Sequence, residues 1–137
     1  MTSARIRSAL TSSVSVRLVG SVEVWEKRIP HYVLAQVQAV VSRYGAKVFG
    51  TKVIEGAALM GLQPQQAVAA ILALRSSDLF KSMTSERDPS HTLWQDVYHA
   101  QTATGMAYIK FMLFHPPAQR GPSDQALPKL VISFKRL

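Results

Sequence analysis

The spacing of apolar residues changes period once along this chain. From Ile29 it is helical: Val33, Leu34, Val37, Val40, Val41 and Tyr44 recur three and four residues apart, on one face of a helix. Pro30 suits the first turn of that helix, where its missing N–H has no intrahelical partner, and Gly45 supplies a stop. A second helix is expected over about residues 52–60, with Thr51 as N-cap and Gly61 as terminator. A third is expected from Pro64 to about Leu74, with Ala67, Val68, Ile71 and Leu72 in one stripe. Ser77 and Asp78 read as caps of a short turn, Leu79 to Ser82.

Beyond residue 90 the period shortens to two. His91 to Tyr98 alternates loosely. Met106 to Phe114 alternates cleanly, with Ala107, Ile109, Phe111 and Leu113 on one face and Met106, Tyr108, Lys110, Met112 and Phe114 on the other. Lys129 to Arg136 repeats the pattern, setting Leu130, Ile132 and Phe134 against Lys129, Val131, Ser133 and Lys135. Between these strands, Pro116 to Pro128 has loop composition. Helices followed by an antiparallel meander predict an α+β fold, with the N-terminal helices packed on one face of a small antiparallel sheet. Residues 1–24 stand apart: Met1 to Ser13 is rich in Ser, Thr and Ala and carries Arg5 and Arg7. Val14, Val16 and Leu18 alternate as in a short strand, but the segment as a whole reads as a flexible or loosely docked extension. A transit peptide, a polar tail or an initiation codon set too early would share that composition.

The length of 137 residues fits one domain, and 47% hydrophobic residues are enough for a core. Lys and Arg number 16 against 8 Asp and Glu, a net charge of +8, and the pI is near 10.2. A pI this high is a first footprint of nucleic-acid binding. Cysteine is absent, which excludes disulfides, a thiol nucleophile, iron–sulfur clusters and thiolate zinc sites. No apolar run approaches the length of a membrane span, so the expected compartment is the cytoplasm, by default.

If the apolar strand faces pack on the helices, Tyr108, Lys110, Ser133 and Lys135 share the other surface. Lysines neutralise phosphates and an aromatic ring stacks on an unpaired base, so such a face suits RNA. An ordinary solvated sheet face gives the same pattern. His31, His91, His99 and His115 are scattered, and Asp88 and Asp96 are isolated, so no metal site is expected. His91 is a candidate acid–base residue, while Trp94, Met83 and Met106 read by position as packing residues. The helices expected at 52–60 and 64–74 are spaced like a helix-turn-helix. The second carries no Lys or Arg before Arg75, so direct DNA binding is not expected.

Several runs resemble one family. Glu26-Lys27-Arg28-Ile29-Pro30-His31 with Leu34-Ala35-Gln36-Val37 resembles the opening of the MqsR toxins. A stronger match is Ser77-Asp78-Leu79-Phe80-Lys81-Ser82-Met83-Thr84 followed by His91-Thr92-Leu93-Trp94-Gln95-Asp96-Val97-Tyr98. It continues through Thr104-Gly105-Met106-Ala107-Tyr108-Ile109-Lys110 and closes on Leu130-Val131-Ile132-Ser133-Phe134-Lys135. The likeness covers residues 26–137 and is weaker over 45–70. It implies a RelE-like fold, ribosome-independent cutting of mRNA at GC-led triplets, no cofactor, and an MqsA-like antitoxin as partner. It also implies that catalysis falls on Lys81, Gln95 and Tyr108. Lys110, Lys135, Met83, His91 and Ser133 are then expected to contact single-stranded RNA. Residues 1–24 and the insertion at 116–128 depart from the family pattern.

The implied chemistry uses the substrate's 2′-OH as nucleophile and leaves 2′,3′-cyclic phosphate and 5′-OH ends. Lys81 is the expected electrostatic stabiliser and Gln95 the orienting amide. Tyr108 is expected to move a proton or stack on a base. Clustered lysines should depress one another's pKa and favour tyrosinate. The identity of the base is left open, with His91 in reserve. The alternative function is a non-catalytic module that holds RNA or ribosome on the same basic face.

Overall fold

The computed structural model describes residues 13–114 and 129–137. Among these, strands β1 (Val14–Val19) and β2 (Val22–Lys27) come first. Helices α1 (Leu34–Tyr44), α2 (Thr51–Leu59) and α3 (Pro64–Leu72) follow. Strands β3 (Leu79–Thr84), β4 (Trp94–Thr102), β5 (Gly105–Phe114) and β6 (Lys129–Arg136) complete the order. All six strands form one antiparallel sheet, ordered β1-β2-β3-β4-β5-β6. The three helices occupy the β2–β3 connection and cover one face, α2 lying on β6 and α3 on β4. This is the α+β arrangement the pattern predicts.

The core forms where the two periodicities meet. Val37 and Val41 of α1, Val53 and Ala57 of α2, and Ala67, Ala70 and Ile71 of α3 are buried. They pack with Ala107, Ile109, Phe111 and Leu113, the face of β5 that alternation assigned to the interior. Leu130 and Phe134 of β6 and Tyr98 and Ala100 of β4 complete that layer. At Gly56 the α2 backbone approaches β6 so closely that an added Cβ would collide with the Phe134 carbonyl oxygen. Relief requires moving a helix or a strand backbone. Gly56→Ala should therefore cost about 1–3 kcal/mol. A circular-dichroism melt should show a Tm several degrees lower; an unchanged Tm would mean that α2 does not seat this closely.

Four local expectations change. Of the extension expected over residues 1–24, residues 14–24 are not loose: β1 and β2 pair along six positions, from Val14↔Lys27 to Val19↔Val22, around a turn in which Gly20 takes φ 64°. The segment expected to turn at Leu79–Ser82 is strand β3, whose pairing with β4 shifts register between Leu79 and Lys81 and so masks its period. Helix α1 begins at Leu34 rather than near Pro30; the His31 and Tyr32 N–H groups just before it are held by the Asp96 carboxylate at 2.9–3.0 Å. Gly50, not Thr51, caps α2. Residues 1–12 and the insertion at 116–128 lie outside the described residues.

Candidate active site

The face turned away from the helices is ordered by strand register. One row runs from His99 of β4 to Tyr108 of β5 and Lys135 of β6. The next runs from Lys81 of β3 through Val97 to Lys110 and Ser133. Met83 pairs with Gln95 beside it. The structure therefore brings Lys81, Gln95, Tyr108, Lys110, Ser133, Lys135 and Met83 onto one surface. The β1–β2 hairpin joins them there: Val24 packs with Met83 and Val97, and Val19 and Tyr108 lie against the cluster.

Lys81 is not a free surface cation. It is 8% exposed, and its Nζ donates to Glu26 Oε2 at 2.6 Å. Glu26 is 7% exposed, and the same oxygen accepts Arg17 Nε at 3.1 Å. A buried pair of this kind holds its geometry strongly, since either charge left alone would be desolvated without compensation. Two cations share one carboxylate, so the trio keeps a net positive charge toward the face. Met83, Gln95, Met112, Lys110 and Ser133 line an adjoining cavity of about 460 Å³, with Glu86 and Arg87 at its side.

Burial raises the Tyr108 pKa above its ordinary value, outweighing the nearby Arg17, which lowers it. The expected tyrosinate is thus corrected: Tyr108 stays a phenol at neutral pH, a proton donor. Desolvation is the larger force there. Burial, and then repulsion from Lys135, lower the Lys110 pKa, the direction expected of clustered lysines. Lys135 Nζ sits 5.0 Å from the centre of the Tyr108 ring, a cation–π contact.

His91 is not brought to this face. It stacks on Trp25 at 4.4 Å with planes 6° apart, and its Nε2 donates to the Glu23 carbonyl at 3.0 Å. Trp25 lies between Val24 and Glu26 on β2, so alternation points it to the other side of the sheet. Trp94 packs as expected, under Lys27 Nζ at 4.3 Å and beside the His31 ring at 5.7 Å. Among the described residues, no three His, Asp or Glu side chains are grouped to hold a metal ion. No helix there is long and apolar enough to cross a membrane.

A family model described as "Motility quorum-sensing regulator, toxin of MqsA" matches residues 29–136. The chain belongs to the MqsR toxin family. It is 37% identical over 90 residues to the mRNA interferase toxin MqsR of Escherichia coli (strain K12), spanning 66% of this chain and 89% of that protein. Within this chain, sequence reading missed Arg17, Glu26, Glu86, Arg87 and His99 as members of the face. Glu26 stood in plain view in the opening run, but its partner is 55 residues away and no periodicity links them. Arg17 and Glu26 also precede the segment that the family model matches.

Proposed function

We infer that this chain is the toxin of a toxin–antitoxin pair and an endoribonuclease that cuts mRNA. Its family is described as the toxin of MqsA, and its E. coli relative is named an mRNA interferase. The observation that carries the reading is the gathering of Lys81, Gln95, Tyr108, Lys110, Ser133 and Lys135 on one basic sheet face. Its substrate is single-stranded mRNA, because in-line attack by the 2′-OH needs a sugar–phosphate geometry that an A-form helix resists. Its partner is an MqsA-like antitoxin, and it acts in the cytoplasm, where mRNA is met.

The chemistry divides among the side chains on the face. Lys81, fixed by Glu26, holds the charge that develops on the phosphorane. Gln95, at the cavity wall, orients the substrate through its neutral amide. Tyr108 gives its proton to the leaving 5′-oxygen. Lys110 and Lys135 hold flanking phosphates, and Met83 and Ser133 complete the cradle. Contact with several phosphates makes binding weaken with salt, at a log–log slope of about −0.7 for each phosphate on a single strand. His91, held on the opposite side, has no part in this scheme.

The test is cleavage of an unstructured RNA in EDTA by the full chain, with analysis of product ends. Fragments ending in 2′,3′-cyclic phosphate and beginning with 5′-OH are expected. RNA that is bound but left intact would favour a binding module instead. Cleavage that stops on chelation would overturn the 2′-OH scheme without a metal.

A further inference from the structure

We infer that His99 is the proton acceptor for the 2′-OH, working opposite Tyr108 as the proton donor. This rests on the ribonuclease reading and supplies the base that it lacks. Three observations carry it.

The first is place. His99 pairs in register with Tyr108, and two residues before it Val97 pairs with Lys81. Of the described histidines, it is the one on the catalytic face: His91 is held by Trp25, and His31 packs beside Trp94. The second is mounting. The imidazole is half-buried and stacks on Phe80 at 4.4 Å with planes 20° apart. Phe80 is held in turn by Arg28, which donates to its carbonyl at 2.9 Å and lies 5.3 Å from its ring centre. The imidazole also lies near Tyr108, with ring centres 6.4 Å apart and planes tilted by 41°. That spacing lets the two polar groups reach two atoms of one phosphodiester by ordinary hydrogen bonds. Among the described residues, no hydrogen bond occupies either imidazole nitrogen of His99.

The third is chemistry by comparison with its neighbours. Arg17, Lys81, Lys110 and Lys135 are cations suited to phosphate. Glu26 already accepts two of them. Tyr108 is held as a phenol by burial. Imidazole is the side chain that ordinarily exchanges a proton near neutral pH.

The step balances. The 2′-OH proton passes to His99 as the 2′-oxygen bonds to phosphorus. The bond from phosphorus to the 5′-oxygen breaks, and that oxygen takes the Tyr108 proton. The imidazolium then returns a proton to the phenolate through solvent, which resets the pair.

The experiment compares wild type with His99→Ala and His99→Gln on an unstructured RNA, with and without added imidazole. Binding is followed in parallel on a 2′-O-methyl RNA that cannot be cut, and folding by a melt. Both variants should bind within a few-fold of wild type and cleave at least about 100-fold more slowly, the usual scale of general-base loss. Imidazole should restore part of the rate to His99→Ala. Near-wild-type cleavage by either folded variant would overturn the assignment and leave the ribonuclease standing. So would a loss that imidazole does not repair or that follows RNA binding. If wild type itself cuts nothing, the assignment and the ribonuclease reading fall together.

Discussion

Lys81→Ala is expected to slow RNA cleavage by about 10²- to 10³-fold, the loss of a preorganised charge donor worth roughly 3–4 kcal/mol in the transition state. The geometry adds a second effect. Removing Lys81 leaves Glu26 with Arg17 as its remaining partner, and Arg17 lies on the exposed edge strand. A buried carboxylate that has lost one of two cations weakens the fold and repels the incoming phosphate. RNA binding and Tm should therefore fall along with turnover in the single variant. The double variant Lys81→Ala/Glu26→Ala separates the effects: it should recover binding and much of the Tm, while turnover stays low. Single-turnover cleavage, binding of uncuttable RNA and thermal melts read these three quantities. Recovery of turnover in the double variant would show that the fault lay in the orphaned carboxylate, and would remove Lys81 from the chemistry.

This dependence on Glu26 marks the limit of what a linear sequence tells. Tyr108, Lys110, Ser133 and Lys135 were legible as neighbours because β5 and β6 keep a strict period of two, and a strand's period fixes its faces. Their interior residues were legible for the same reason. Lys81 and Gln95 were reached by resemblance alone. The register shift beside Phe80 breaks the pattern of β3, and β4 mixes polar and buried positions on both faces. His99 was invisible for a related reason. Its significance comes from lying across from Tyr108, and cross-strand register is a tertiary property. His91 misled because its motif surroundings resemble the family, whereas its ring is committed to Trp25. The β1–β2 hairpin was half legible: the alternation of Val14, Val16 and Leu18 was visible, but its pairing with Val22–Lys27 is a cross-strand register that no spacing along the chain shows.

Asp96 illustrates the opposite case, a residue inside the most distinctive run whose work is structural. Replacing it with alanine should destabilise the protein by about 2–5 kcal/mol. Its carboxylate is fully buried and accepts the N–H groups of both His31 and Tyr32. Truncation leaves two backbone donors without partners at the entrance to α1, each costing about 1–3 kcal/mol where water cannot replace the lost acceptor. Tyr32 partly secures the same crossing, since its hydroxyl donates to the Trp94 carbonyl at 2.7 Å, so the segment should loosen rather than detach. The loosening matters for function because the same segment carries Arg28, which holds the Phe80 carbonyl one residue before Lys81. For a domain of this size the Tm should fall by roughly 10 °C. Amide exchange should accelerate first at residues 31–34, ahead of the β5–β6 core. Cleavage measured well below the lowered Tm should drop only a few-fold, because Asp96 faces the helix side of the sheet. A loss as deep as that of Lys81→Ala, in a protein still folded, would instead place Asp96 in the chemistry.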